Sequence, residues 1–74
     1  MRVKISVKYR SPITPDLTVN VFNMTEDTYD RIIKALRLGE GFFLYETPNA
    51  GEKRIMVSIG AETVKSEVVI IQEF

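Results

Sequence analysis

The sequence predicts an α+β domain in which one helix packs on a mainly antiparallel five-stranded sheet, with the elements in the order ββαβββ. Three observations lead to this prediction. The first residues alternate strictly between polar and apolar, a central segment has the spacing of an amphipathic helix, and the second half consists of short apolar runs separated by turns. A chain of 74 residues without repeats or linkers suits a single domain, residues 1–74.

The first two strands are predicted from a sequence period of two. Val3, Ile5, Val7 and Tyr9 alternate with Arg2, Lys4, Ser6, Lys8 and Arg10, and Leu17, Val19 and Val21 alternate with Thr18 and Asn20. Pro12 and Pro15 separate the two runs, because proline has no N–H for a strand ladder. The connection is short enough for the two strands to pair antiparallel. Phe22 is out of phase, since it falls on the polar face of the second strand.

A helix is predicted for residues 26–38. Thr25 has the side-chain oxygen of an N-cap, and Gly39 stands where a left-handed residue ends a helix. The apolar stripe of this helix consists of Tyr29, Ile32, Ile33 and Leu36. Gly39-Glu40-Gly41 therefore ends a helix and is not a phosphate-binding loop, which would open a helix and end in lysine.

Three more strands are predicted at residues 42–45, 55–59 and 68–71. Residues 47–51 have turn chemistry, so that the third and fourth strands form a hairpin, and Gly60-Ala61-Glu62 is predicted to be a loop. The third and fifth strands are apolar at every position. One helix covers only one face of a sheet, so one apolar pair in each of these strands faces away from it.

These uncovered side chains are the basis of the leading functional prediction. In one interpretation the sheet curls into a partly closed barrel, or the proline-containing loop folds over it, and the residues are core. In the other, which we favour, they form an exposed patch for a second copy or another protein. The predicted function is a non-enzymatic, homo-oligomeric interaction module. The interface candidates are Phe22, Phe43, Tyr45, Met56, Val69 and Ile71.

The composition points away from catalysis. The chain has no cysteine and no histidine, so the commonest zinc ligands, thiolate nucleophiles and imidazole general bases are all missing. We expect no enzymatic activity, no metal site and no cofactor. The alternating start and the lack of a long apolar segment favour a cytoplasmic protein without a membrane partner.

Nucleic-acid binding along the first strand is the main alternative. The polar face of this strand carries Arg2, Lys4, Lys8 and Arg10, which could follow phosphates, with Tyr9 or Phe22 nearby to stack a base. Two observations weaken this interpretation. Tyr9 shares a face with the apolar residues, and the net charge of the chain is +0. A solvated or protected strand face is the more ordinary explanation of such a stripe.

A small anionic ligand, such as a nucleotide bound at a subunit interface, is the third hypothesis. The long polar loop between the third and fourth strands offers Asn49, Lys53 and Arg54 for an anion or for acidic groups of a partner. An ordinary hairpin turn explains the same residues.

The second half of the chain resembles the short uncharacterised proteins of phages and prophages of Gram-positive bacteria. The matching pieces are the alternating Ile-x-Val-x-Ile segment at Ile55–Ile59 and the short apolar segment Val68–Glu73, after the helix that ends at Gly39. The resemblance covers about half of the chain. It implies a small accessory or host-directed binding protein, and no functional residues carry over from it.

Overall fold

The first strand of the chain lies at the centre of the fold. The computed structural model describes residues 1–46 and 54–74. Its elements are β1 (Val3–Lys8), β2 (Leu17–Val21), α1 (Glu26–Leu38), β3 (Phe42–Glu46), β4 (Ile55–Ile59), α2 (Ala61–Ser66) and β5 (Val68–Glu73). β1 pairs antiparallel with β2 on one side and with β5 on the other, and β3 pairs antiparallel with β4. The α+β class and the two antiparallel pairs β1–β2 and β3–β4 are therefore confirmed.

The prediction of one five-stranded sheet is wrong. The strands form a three-stranded sheet in the order β2-β1-β5 and a separate two-stranded sheet, β3-β4. β5 follows β4 along the chain, yet it pairs with β1. Helix α2 stands between β4 and β5, and a helix in place of a tight turn carries the chain away from β4.

The loop predicted at Gly60-Ala61-Glu62 is also wrong, because Ala61 and Glu62 begin helix α2 and Gly60 is its N-cap. The backbone N–H of Val64 donates to the carbonyl of Gly60 at 3.1 Å, and the Ser66 hydroxyl donates to the carbonyl of Glu62 at 2.7 Å. Six residues are too few to show a helical period in the sequence. The observed element order is accordingly ββαββαβ.

The main helix, α1, begins and ends at the predicted residues. The Thr25 hydroxyl accepts a hydrogen bond from the backbone N–H of Thr28 at 3.2 Å, as an N-cap does. Gly39 has a φ of 69°, and its N–H donates to the carbonyl of Leu36 at 3.2 Å. Neither helix in the described part of the chain is long and apolar enough to cross a membrane.

One apolar core lies between the three-stranded sheet, the β3–β4 hairpin and α1. It consists of Val3, Ile5, Val7, Val21, Met24, Ile32, Ala35, Phe42, Leu44, Val57 and Ile59. The three β1 residues of this set are completely buried. The stripe predicted for α1 needs one correction: Ala35 is buried in the core, whereas Ile33 lies outside it with Lys34 and Arg37. The face of α1 that contacts the core is therefore rotated relative to the predicted face, and Ala35 takes the place of Ile33 in it.

Gly41 permits a close approach between the start of β3 and the end of β4. A Cβ atom at residue 41 would lie 2.6 Å from the carbonyl oxygen of Ile59 and 2.9 Å from the backbone nitrogen of Ala61. Both are backbone atoms, so the chain itself would have to move. At Gly60, by contrast, a Cβ atom would meet nothing within 4 Å.

We therefore predict that Gly41→Ala lowers the free energy of unfolding by about 1–3 kcal/mol, the usual effect of overpacking. Gly60→Ala is the matched control and should change it by less than about 1 kcal/mol, because a small capping loss is offset by reduced chain entropy in the unfolded state. Urea unfolding followed by circular dichroism measures both changes. Equal effects at the two glycines would contradict the close approach.

Candidate functional site

The outer side of the β3–β4 hairpin carries an exposed apolar surface. We define the hairpin patch as Phe43, Tyr45 and Met56, whose side chains are 49%, 49% and 69% exposed. Tyr45 and Met56 are direct partners in the ladder, and Phe43 lies opposite Ser58. Since side chains alternate along a strand, the intervening residues of the hairpin point into the core. The two apolar pairs of β3 thus have separate positions: Phe42 and Leu44 inside, Phe43 and Tyr45 outside.

The free edge of β3 beside this patch is partly closed by α1. The Arg31 guanidinium donates from Nη2 to the carbonyl oxygen of Phe43 at 3.1 Å. In an antiparallel pair each residue directs its N–H and C=O to the same side, so the backbone of Phe43 faces α1 and not β4. The carbonyl oxygen of Phe43 is therefore already bonded to Arg31, whereas at an open edge it would accept a hydrogen bond from another strand.

A shallow cleft adjoins the hairpin patch at Phe43. It has a volume of about 350 Å³ and lies between the C-terminal half of α1 and the start of β3. Its lining includes the cationic Arg31 and Lys34, the acidic Glu40 and the apolar Leu38. Mixed charges of this kind do not select an anion, so we regard the cleft as an extension of the apolar patch.

The second exposed surface is the side of the three-stranded sheet that faces away from the core. Lys4 pairs with Asn20 on β2 and with Gln72 on β5. The same register, continued by one step, places Phe22 and Phe74 on either side of Arg2. We define the outer sheet face as Arg2, Lys4, Asn20, Phe22, Gln72 and Phe74.

The two phenylalanines of the outer sheet face are in contact with each other and with an arginine. The ring centroids of Phe22 and Phe74 are 5.9 Å apart, with the rings at 74°. The Arg2 Cζ atom lies 5.3 Å from the centroid of the Phe74 ring, the geometry of a cation–π interaction. The rings nevertheless remain 54% and 46% exposed, respectively.

The six interface candidates do not lie on one surface. Phe43, Tyr45 and Met56 form the hairpin patch, and Phe22 lies on the outer sheet face. Val69 and Ile71 pack against the core instead, because they pair with the buried Val7 and Ile5. Val68 is the exposed apolar residue of β5, at 52%. The expectation of a single uncovered face depended on the single sheet and is corrected with it.

The cationic candidates are also divided. Arg2 and Lys4 lie on the outer sheet face, and Lys8 lies at its far end. Arg10 follows β1, and its backbone N–H donates to the Glu67 carboxylate at 2.8 Å. Arg54 is exposed before β4, whereas Asn49 and Lys53 lie outside the described residues. The small-anion hypothesis therefore stays a prediction.

The aromatic partner of the basic strand is not the one that we named first. Tyr9 packs against the core, as its sequence phase indicates. Phe74 was not among the predicted residues. It follows Gln72 by two positions, so it lies on the same side of β5. A search for residues two apart at the end of this strand would have found it.

Within residues 1–46 and 54–74, no three acidic side chains come together as a metal site would require. No buried side-chain nitrogen or oxygen in those two ranges lacks a hydrogen-bond partner. The candidate sites are therefore two binding surfaces, and the absence of enzymatic activity stays a prediction.

Comparison of the chain with protein-family models, with curated proteins and with solved structures found no match. The resemblance to phage and prophage proteins accordingly depends only on the segments quoted for it.

The alternation of β3 predicts opposite outcomes at adjacent residues. Leu44→Asp places a charge at a site that is 3% exposed, and this should unfold the domain because a buried unpaired charge costs several kcal/mol. Tyr45→Asp places the same charge in solvent and should preserve the fold. Thermal unfolding by circular dichroism distinguishes the two variants. Loss of the fold in both would mean that the hairpin patch is part of the core.

Proposed function

We propose that this protein is a non-enzymatic interaction module that self-associates through the hairpin patch. The observation that carries the proposal is the position of Phe43, Tyr45 and Met56 on the outside of a hairpin whose inner residues already fill the core. The fold therefore does not need these three side chains inside. A cluster of large exposed apolar residues on a small domain is typical of an interaction surface.

A second copy is the partner that fits this surface best. A two-fold dimer brings the same patch together from both subunits, so each apolar side chain meets another one. The Arg31–Phe43 hydrogen bond hinders pairing of β3 edges, and the contact is therefore expected between hairpin faces. A host protein on the same patch, as the phage resemblance implies, is the competing occupant.

The strength of the contact can be bounded. Burial of the remaining exposed half of each side chain contributes about 1 kcal/mol, half of the usual full-burial value. The three residues, counted in two subunits, thus supply about 6 kcal/mol against an association cost of at least about 4 kcal/mol. A standard interface buries about 800 Å² per partner. The three side chains form the centre of such an area, and the rim has to include the adjoining cleft.

The proposal predicts a weak dimer, populated between about 10 µM and 1 mM protein, which requires the rim to contribute about 2–5 kcal/mol beyond the three side chains. Light scattering of the untagged protein across this range should show the mass rising from that of one 8.5 kDa chain toward that of two. Tyr45→Asp should remain monomeric at every concentration, because it places a charge in the contact.

Phe22→Asp is the matched control for the dimer experiment. It also changes an exposed aromatic residue to aspartate, but on the outer sheet face, and it should dimerise like the parent protein. A parent protein that is monomeric throughout would refute self-association. A dimer that Phe22→Asp dissociates and Tyr45→Asp preserves would move the contact to the other sheet.

A further inference from the structure

We propose that the outer sheet face binds single-stranded nucleic acid, with Phe22 and the Arg2–Phe74 pair stacking on bases and with Arg2 and Lys4 holding phosphates. This site does not depend on the proposed self-association. The hairpin patch lies on the other sheet, and the two surfaces share no residue.

The outer sheet face supplies flat, exposed groups. Phe22 is 54% exposed, because its register position opposite Arg2 directs it away from the core. The Arg2 guanidinium is held over the Phe74 ring at 5.3 Å, so a planar cation is already oriented at this place. Aromatic rings and guanidinium planes stack on any base, because every base has a π-face.

The outer sheet face is also positively charged. The outward positions of the three strands carry Lys4 and Lys8 and, among the described residues, no acidic side chain. Glu73 pairs with Val3 and so belongs to the opposite face. Asp16 and Glu67 lie near the Lys8 end of the sheet, which assigns the site to the end that holds Arg2. The zero net charge of the chain thus conceals a local excess of positive charge.

The spacing and the hydrogen-bonding groups of the outer sheet face also suit a nucleic-acid strand. Arg2 and Lys4 are two residues apart on one strand, so their Cα atoms are separated by about 7 Å. Consecutive phosphates of a stretched single strand can reach two such cations. Asn20 and Gln72 lie on either side of Lys4 in the register, and their amides can donate to and accept from base edges.

Exposed aromatic rings lie beside the cations of the basic strand. A row of cations without exposed rings is explained by solvation alone, and Tyr9 packs against the core. The structure has Phe22 exposed on the side of the cations, as its sequence phase indicates, and adds Phe74 there. Single-stranded nucleic acid, and not a duplex, is the ligand, because stacking requires unpaired bases.

The test is fluorescence anisotropy with a labelled oligothymidylate, at salt concentrations between about 50 and 200 mM. Two phosphate contacts predict a slope of about −1.4 in the logarithm of the binding constant against the logarithm of salt. Phe22→Ala should weaken binding by about fivefold to a hundredfold, the usual effect of losing one stacked base. Lys4→Glu should weaken it by about tenfold and reduce the slope by about 0.7.

Two controls separate this site from other surfaces. Lys34→Glu reverses the charge of an exposed lysine on α1 and should change the affinity by less than about twofold. Tyr45→Asp removes self-association and should leave the affinity for the oligonucleotide unchanged. Circular dichroism confirms that each variant is folded.

Three results would overturn the proposal. The first is the absence of binding at the lowest salt concentration. The second is equal weakening by Lys4→Glu and Lys34→Glu, which would show only general attraction between charges. The third is competition by inorganic polyphosphate together with no effect of Phe22→Ala, which would identify a phosphate surface without base stacking.

Discussion

The burial of strand β1 is the constraint on which the rest of the structure depends. Among the described strands, β1 alone is hydrogen-bonded on both edges, to β2 and to β5. Its apolar residues Val3, Ile5 and Val7 have no exposed surface, so something must cover one entire face of the sheet. Helix α1 covers part of that face, and the β3–β4 hairpin covers the remainder as a second layer. The division into two sheets follows from this need.

Two layers with one shared core leave two outer faces, and the sequence makes these faces chemically different. The hairpin face retains Phe43, Tyr45 and Met56, which are large and carry no charge. The outer sheet face combines exposed rings with Arg2 and Lys4. An apolar surface suits association with a second copy, whereas rings beside cations suit a ligand with both π-faces and negative charge. The two proposals therefore come from one architecture and remain independently testable.

Local sequence patterns predicted the five strands and helix α1, but not helix α2 or how distant elements pair. The bounds of helix α1 were predicted to the residue because Thr25 and Gly39 mark its ends and its apolar residues have helical spacing. The pairing of β5 with β1 depends on contacts between opposite ends of the chain, which a period of two does not encode. The sequence also did not indicate which apolar pair of β3 points into the core, because both faces of this strand are apolar. Helix α2 has one core-contacting apolar residue, Val64, and therefore no period to recognise.

The most direct test of this account is native-state hydrogen exchange of the backbone amides, followed by NMR. A central strand is protected on both edges, whereas β3 and β4 each have one edge without a partner strand among the described residues. The account predicts that the amides of β1 exchange most slowly and that those of β3 and β4 exchange clearly faster. Equal protection of β1 and of either hairpin strand would contradict it, because a single five-stranded sheet has three interior strands and would produce that result.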